Sequence, residues 1–339
     1  MNLQGIKEKL KSEEYDFLRT NKSLGKNIML LTLGGSWSYG TNNKNSDIDV
    51  RGIFGESISE IIGLSEATQF EHKETDTVIY SFNKIVSLML NCNPNTIEMF
   101  GTKDDMVFYL SDEGKLLKDN IKLFLSKRAK YTFGGYADQQ LRRLENALAH
   151  DAYPEEEKTK HLIKSIENMY EHFRTHYSYF GENGFKMYRG IVPGTQEYDI
   201  LVDVNLKGYP LRYYKGIQSE MNLCYRNYEK LNSRNKKKDD NHLNKHAMHL
   251  VRLQKICVDI LSQGKIITYR EKDLPLLLDI RNGKYQKEDK TYRKEFFELV
   301  DELNKEIAYA DKHSILPEQP NFKEVEELVI EINRSLLNK

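Results

Sequence analysis

Leu33-Gly34-Gly35-Ser36-Trp37-Ser38-Tyr39-Gly40-Thr41, and a few residues on Ser46-Asp47-Ile48-Asp49-Val50-Arg51-Gly52, form the stretch on which the reading of this chain turns. The apolar run from Asn27 to Leu33 leads into it and predicts a short buried strand. Two glycines then let the backbone turn sharply and come close to a ligand. The N–H groups that follow, with the Ser36 hydroxyl at the start of a short helix, make a phosphate cradle. Asp47 to Phe54 predicts a second strand, with β-branched residues alternating against charges. Residues i and i+2 of a strand share a face, which puts Asp47 and Asp49 together as hard oxygen ligands for Mg²⁺. Two metals about 4 Å apart can activate an attacking hydroxyl and stabilise a leaving pyrophosphate. Taken singly, the glycines make an ordinary turn and the acids a solvated strand edge. Their joint occurrence on strand, turn and strand is what points to a site.

Outward from this stretch, Ile6, Leu10 and Leu18 predict a leading helix. Thr68 to Phe82 reads as two strands joined by a polar bend. Helical spacing begins at Asn83 and is broken by Asn93-Pro94-Asn95. A new helix follows over Thr96 to Phe100, with Asn95 as its N-cap. Beyond about residue 115 the pattern is mainly helical, over 138–148, 158–173, 241–261, 292–310 and 322–337. Ile200-Leu201-Val202 and Leu206-Lys207-Gly208-Tyr209-Pro210 interrupt it as short strands or a hairpin. Arg234 to Asp240 reads as an exposed charged loop. The expected organisation is α+β: a small mixed sheet flanked by helices over residues 1–120, then a mainly helical portion over 121–339 carrying a β-hairpin insertion.

Composition narrows the classes. The 339 residues carry 51 Lys+Arg against 51 Asp+Glu, which excludes coating of nucleic acid by bulk positive charge and leaves room for a local basic groove. Twenty-one Tyr and 14 Phe argue against disorder. Cys92, Cys224 and Cys257 form no CxxC pair and no zinc spacing, as expected of reduced thiols in a cytoplasm. No signal-like h-region and no run of the ~18–20 apolar residues needed for a membrane span is visible. A cytoplasmic protein with no membrane partner is therefore expected.

The Gly-Ser turn followed by Asp-x-Asp resembles the signature of the DNA polymerase β-like nucleotidyltransferase superfamily. The extended form, Tyr39-Gly40 and then Ser46-Asp47-Ile48-Asp49-Val50-Arg51-Gly52-Ile53-Phe54, resembles its predicted bacterial and phage group (the YcgL-like group). Trp37 is a departure, standing where that group often carries a basic or small residue. Asn93-Pro94-Asn95-Thr96-Ile97-Glu98, Lys245-His246-Ala247-Met248-His249-Leu250-Val251-Arg252-Leu253 and Leu277-Leu278-Asp279-Ile280-Arg281-Asn282-Gly283 resemble further blocks of it.

The resemblance implies transfer of a nucleoside monophosphate from an NTP to an acceptor hydroxyl, with Mg²⁺ or Mn²⁺ and release of pyrophosphate. Gly34, Gly35, Ser36, Tyr39, Gly40 and Thr41 would hold the nucleotide, and Asp47 and Asp49 the metals. A third carboxylate on a neighbouring strand is implied; Asp76 is the candidate, with Glu74 and Glu71 as alternatives. Lys245, His249 and Arg252 share a helix face and either bind phosphates or form a solvated basic face. Arg270 and Arg281 are weaker candidates of the same kind. Glu98 reads as a partner of its own helix start, with a site role as the alternative. Histidine pairs at 246/249 and 172/176 lack the further ligands zinc needs. The acceptor stays open between an RNA 3′ end, a protein and a small molecule. Rival readings are a non-catalytic NTP sensor or antitoxin-like module, and a synthase of cyclic or oligomeric nucleotides.

Overall fold

A computed structural model describes residues 2–44, 46–151, 185–195, 198–233 and 240–338. The helix expected over 158–173, the His172/His176 pair and most of the 234–240 loop lie outside these residues. The chain forms two compact units. One comprises Met1–Gln140, Ala247–Tyr285 and Lys294–Lys339; the other comprises Leu141–His246 and Gln286–Arg293. The boundary expected at residue 120 thus lies inside the first unit, because two later segments of the chain return to complete it.

The first unit is built on a five-stranded mixed sheet of order β3-β4-β2-β1-β5. Its strands are β1 Ile28–Leu33, β2 Val50–Phe54, β3 Gln69–His72, β4 Thr77–Ser81 and β5 Val107–Leu110. All six residues of β1 are buried, as its apolar run, interrupted only by Thr32, predicts for a strand covered on both faces. β2 pairs antiparallel with β1 and parallel with β4. This parallel contact brings the N-terminal ends of β2 and β4 side by side, and the chain leading into each carries an aspartate. β5, an antiparallel neighbour of β1, has no counterpart in the sequence reading.

The core on one side joins Ile6, Leu10, Tyr15, Leu18 and Leu24 to Leu31, Leu33, Val50, Phe54 and Ile79. The single leading helix is replaced by helices Leu3–Lys9 and Phe17–Thr20 with a 3₁₀ turn between them. Helix Phe82–Leu90 buries Phe82, Ile85, Val86 and Met89. The C-terminal helix Phe322–Leu337 comes back to helix Asp112–Asp119, where the Ser335 hydroxyl donates to Glu113 Oε1 at 2.7 Å.

Three local expectations are corrected. β2 begins at Val50 rather than Asp47, because β1 ends at Leu33 and turns away, leaving no strand for Asp47 and Ile48 to pair with. The cap of helix Pro94–Ile97 is Asn93, whose side chain accepts from the Asn95 N–H at 3.0 Å. Pro94 then occupies the first helical position, where its missing N–H costs nothing. In the second unit the hairpin is β6 Phe185–Ile191 with β7 Tyr198–Val204; 206–210 is a turn, with Gly208 at φ 76°. Helices Asp240–Gln263, Lys294–His313 and Phe322–Leu337 follow the predicted spans closely. Among the described residues no helix is long and apolar enough to cross a membrane. Asn93→Ala is expected to cost ~1 kcal/mol of stability, measured by urea unfolding; an unchanged midpoint would show that the cap carries no load.

Candidate active site

The site begins where β1 ends. The Gly34 N–H donates to the Asp49 carbonyl at 2.8 Å, the last rung of the β1–β2 ladder. The chain then enters helix Gly35–Tyr39, with Gly35 at φ 54°. A β-carbon on Gly35 would stand 1.8 Å from Asp49 Oδ2, and one on Gly34 would stand 2.8 Å from Arg51 Cγ. The two glycines therefore serve a packing purpose besides turning the chain. Their missing side chains make room for the Asp49 carboxylate and the Arg51 stem. Gly40 closes the short helix in the left-handed conformation, and the Ser36 carbonyl accepts from the Thr41 N–H at 2.9 Å. Ser36 is half-buried.

Asp76 is held next to Asp49 by the parallel pairing of β2 and β4. Its carbonyl accepts from the Val50 N–H at 3.3 Å, and it takes a left-handed conformation, φ 46°, at the end of the turn before β4. Arg51 joins the two acids: its Nη2 lies 3.3 Å from Asp49 Oδ1 and 3.4 Å from Asp76 Oδ1. Its Nη1 donates to the Val50 carbonyl at 3.0 Å and to the Asp76 carbonyl at 2.5 Å. Asp47 is exposed, two residues upstream of Asp49 on the irregular chain entering β2. Of the alternatives for a third carboxylate, Glu74 is highly exposed beside His72, and Glu71 sits on edge strand β3. Among the described residues no three His, Cys, Asp or Glu side chains gather as a ready-made metal cage. Mg²⁺ does not require one. It commonly takes one or two carboxylates and completes its shell with water and substrate phosphate.

Behind the turn lies a buried polar network. The Tyr39 hydroxyl donates to Glu98 Oε2 at 2.8 Å, Arg252 Nη1 donates to Glu98 Oε1 at 2.6 Å, and the Arg252 guanidinium sits 3.7 Å from the Tyr39 ring centroid. His249 meets the same ring edge-on. Burial, with Glu98 adding and Arg252 opposing, holds the Tyr39 phenol above its usual range. Burial alone would lower the Arg252 guanidinium, but Glu98 and Tyr39 more than offset it.

The expected basic face of Lys245, His249 and Arg252 is thus not one row open to solvent. Lys245 is exposed, His249 half-buried, and Arg252 only 4% exposed with its charge spent on Glu98. Glu98 in turn reaches a residue 154 positions away rather than its own helix start. Arg270 is likewise buried, against Asp259 and Asp273. Arg281 donates to the Thr41 carbonyl at the end of the turn segment. Arg51 lay within the decisive stretch without a role assigned to it; its place two residues after Asp49, on the same strand face, was the available signal.

The sheet sets a Gly-Gly-Ser turn against an Asp-x-Asp strand entry, and the family profile that matches this chain places it in the polymerase β-like nucleotidyltransferase superfamily. More narrowly, it belongs to the RNA repair pathway DNA polymerase beta family (RlaP), whose profile matches residues 9–178. No curated protein and no solved structure matches significantly.

Two outcomes follow from this geometry. Gly35→Ala should be strongly destabilising or should displace Asp49, since the added carbon has no room and the backbone is left-handed; a variant with wild-type melting temperature and metal response would contradict the packing described. Glu98→Ala should cost about 3–5 kcal/mol in chemical denaturation, because it strands a buried guanidinium. A loss below about 1 kcal/mol would show that Arg252 finds water instead.

Proposed function

We propose that the protein is an Mg²⁺-dependent nucleotidyltransferase that moves a nucleoside monophosphate from an NTP to an acceptor hydroxyl and releases pyrophosphate. One observation carries this reading: the Asp49 carboxylate fills the space that a side chain at Gly35 would take, as the Arg51 stem does at Gly34, which sets the acidic strand entry directly against the turn read as a phosphate cradle. The donor set fits a hard cation. Asp47 and Asp49 offer carboxylate oxygens, with Asp76 beside them, and the adjoining turn brings phosphate oxygens. Bound there, Mg²⁺ would supply charge neutralisation for the triphosphate and lower the pKa of the attacking hydroxyl.

The protein's own groups do the rest. The backbone N–H groups and hydroxyl around Ser36 hold the triphosphate. Asp47 and Asp49 would hold the cation beside it. Asp76, at the end of the turn before β4, would accept the proton of the acceptor hydroxyl. Tyr39, Glu98 and Arg252 keep the turn rigid from behind, and Arg281 fixes its far end at Thr41. Positioning and charge neutralisation account for most of the rate in such in-line transfers. The family is one of an RNA repair pathway, which favours RNA among the acceptors left open by the sequence.

A second reading, NTP binding without turnover, draws on Arg51, whose single positive charge already pairs with both Asp49 and Asp76. The two separate on one measurement. With α-labelled NTP, Mg²⁺ and an RNA pool, the wild type should release pyrophosphate and label RNA. Asp47→Asn and Asp49→Asn should each lower this by at least about 10²-fold, roughly 2.7 kcal/mol of transition-state stabilisation. EDTA should abolish it and Mn²⁺ restore it. Tight NTP binding with no label in any pool would establish the second reading; full activity in both variants would place the site elsewhere.

A further inference from the structure

Within the first compact unit, a groove of about 510 Å³ lies between helix Leu3–Lys9 and strand β5. Gln4, Lys7 and Glu8 of the helix border it on one side, at i, i+3 and i+4, and so from a single helix face. Phe108 and Tyr109 of β5 border it on the other. Leu10, Leu18, Ile28 and Leu31, all buried, give it an aliphatic floor. No residue of the Gly-Gly-Ser turn borders this groove, nor does Asp47, Asp49 or Asp76. The mechanism leaves it without a role.

β5 stands at the end of the sheet, and among the described residues β1 is its one strand neighbour. The outer side of its backbone is therefore an open edge, a template for one more strand. An edge strand facing a helix across a groove suits an extended peptide. Main-chain hydrogen bonds to the strand supply affinity, and alternate side chains settle into the groove. The aliphatic floor and the open backbone edge favour a peptide over a nucleic-acid strand, which relies on aromatic stacking platforms. Charge then specifies the peptide. Lys7, Lys11, Arg19 and Lys26 border the groove against one acid, Glu8. Glu8 pairs with Lys11 at 3.2 Å, and Arg19 pairs with Asp16 at 3.1 Å. Lys7 and Lys26 are exposed and have no carboxylate within ion-pair distance among the described residues. The complement of this rim is acidic.

We propose that this groove docks an extended, acidic segment of a partner protein, which adds to the sheet as a further strand beside β5. The segment's backbone pairs with the β5 edge. Its alternate apolar side chains lie on the aliphatic floor, and its carboxylates face Lys7 and Lys26. The proposal uses no residue of the candidate active site and stands whether or not the nucleotidyltransferase reading holds.

The probe is a capped, fluorescein-labelled peptide of about eight residues that alternates aspartate with leucine. Titrated with the full chain and followed by anisotropy, it should bind saturably and more weakly as salt is raised. Lys7→Glu/Lys26→Glu should weaken binding at least tenfold while leaving the melting temperature within a few degrees, since both side chains are exposed. The same peptide N-methylated at alternate residues keeps its charge but cannot pair as a strand, and it should bind at least tenfold more weakly. Backbone hydrogen exchange should slow over Val107–Leu110 when the unmodified peptide is bound. The proposal is overturned if the peptide fails to bind below about 1 mM, ~4 kcal/mol, or if charge reversal or N-methylation leaves its affinity unchanged. Displacement by an oligoribonucleotide of equal charge at lower concentration would make the groove a nucleic-acid surface instead. A dimer in sedimentation that the charge reversal dissociates would make the occupant a second copy of this chain. Either of these two results also overturns the proposal.

Discussion

Everything around the site depends on how closely the backbone at Gly34 and Gly35 approaches Asp49. The approach is possible only because Gly35 has no β-carbon, and the Arg51 stem fits beside it only because Gly34 has none. It ends strand β1, starts the short helix and fixes where the carboxylate points. The same rung, Gly34 N–H to Asp49 carbonyl, is the last tie between β1 and β2. Beyond it the chain is free of the ladder, and Asp47 lies on an irregular, solvent-facing approach. The cation and triphosphate of the proposed function would benefit from that division. One acid is clamped by packing and the other is left accessible.

Charge is managed in two distinct ways. At the front, Arg51 lies between Asp49 and Asp76 and offsets the repulsion of two acids that parallel strands force together. It remains partly solvated, so a cation can compete for the same oxygens. Behind the turn, Glu98 and Arg252 are buried almost completely; Glu98 accepts from Arg252 Nη1 and from the Tyr39 hydroxyl. Buried pairs of this kind are costly to break and add little net stability. What this one secures is position: Tyr39 ends the helix that starts at Gly35, and Arg252 comes from a helix more than 200 residues later in the chain. The turn is thereby fastened to a late segment of the chain that belongs to the same compact unit.

Much of the fold was legible for simple reasons. β1 is an apolar run interrupted only by Thr32, helix Phe322–Leu337 has a clean amphipathic period, and the polar bend before Thr77 marks two strands. β5 was missed because Val107 to Leu110 is four residues long and half-buried, too short for any period to show. The cap at Asn93 was misplaced by two residues because asparagines flank Pro94 on both sides. Only the proline's preference for the first helical position separates them.

The sequence by itself determined the chemistry on offer: two glycines and a serine after a strand, then two aspartates two residues apart. Those are local facts, set by spacing and by what glycine permits. Tertiary structure alone decided which charges face which. Asp76 meets Asp49 because β4 pairs parallel to β2. Glu98 meets Arg252 across 154 residues, and Lys7 and Lys26 come to border one groove with Tyr109. No periodicity encodes such meetings, because burial and strand order, not neighbouring residues, bring distant side chains together. Arg252 shows the consequence: its helical spacing matched a phosphate-binding face, and packing turned its charge inward.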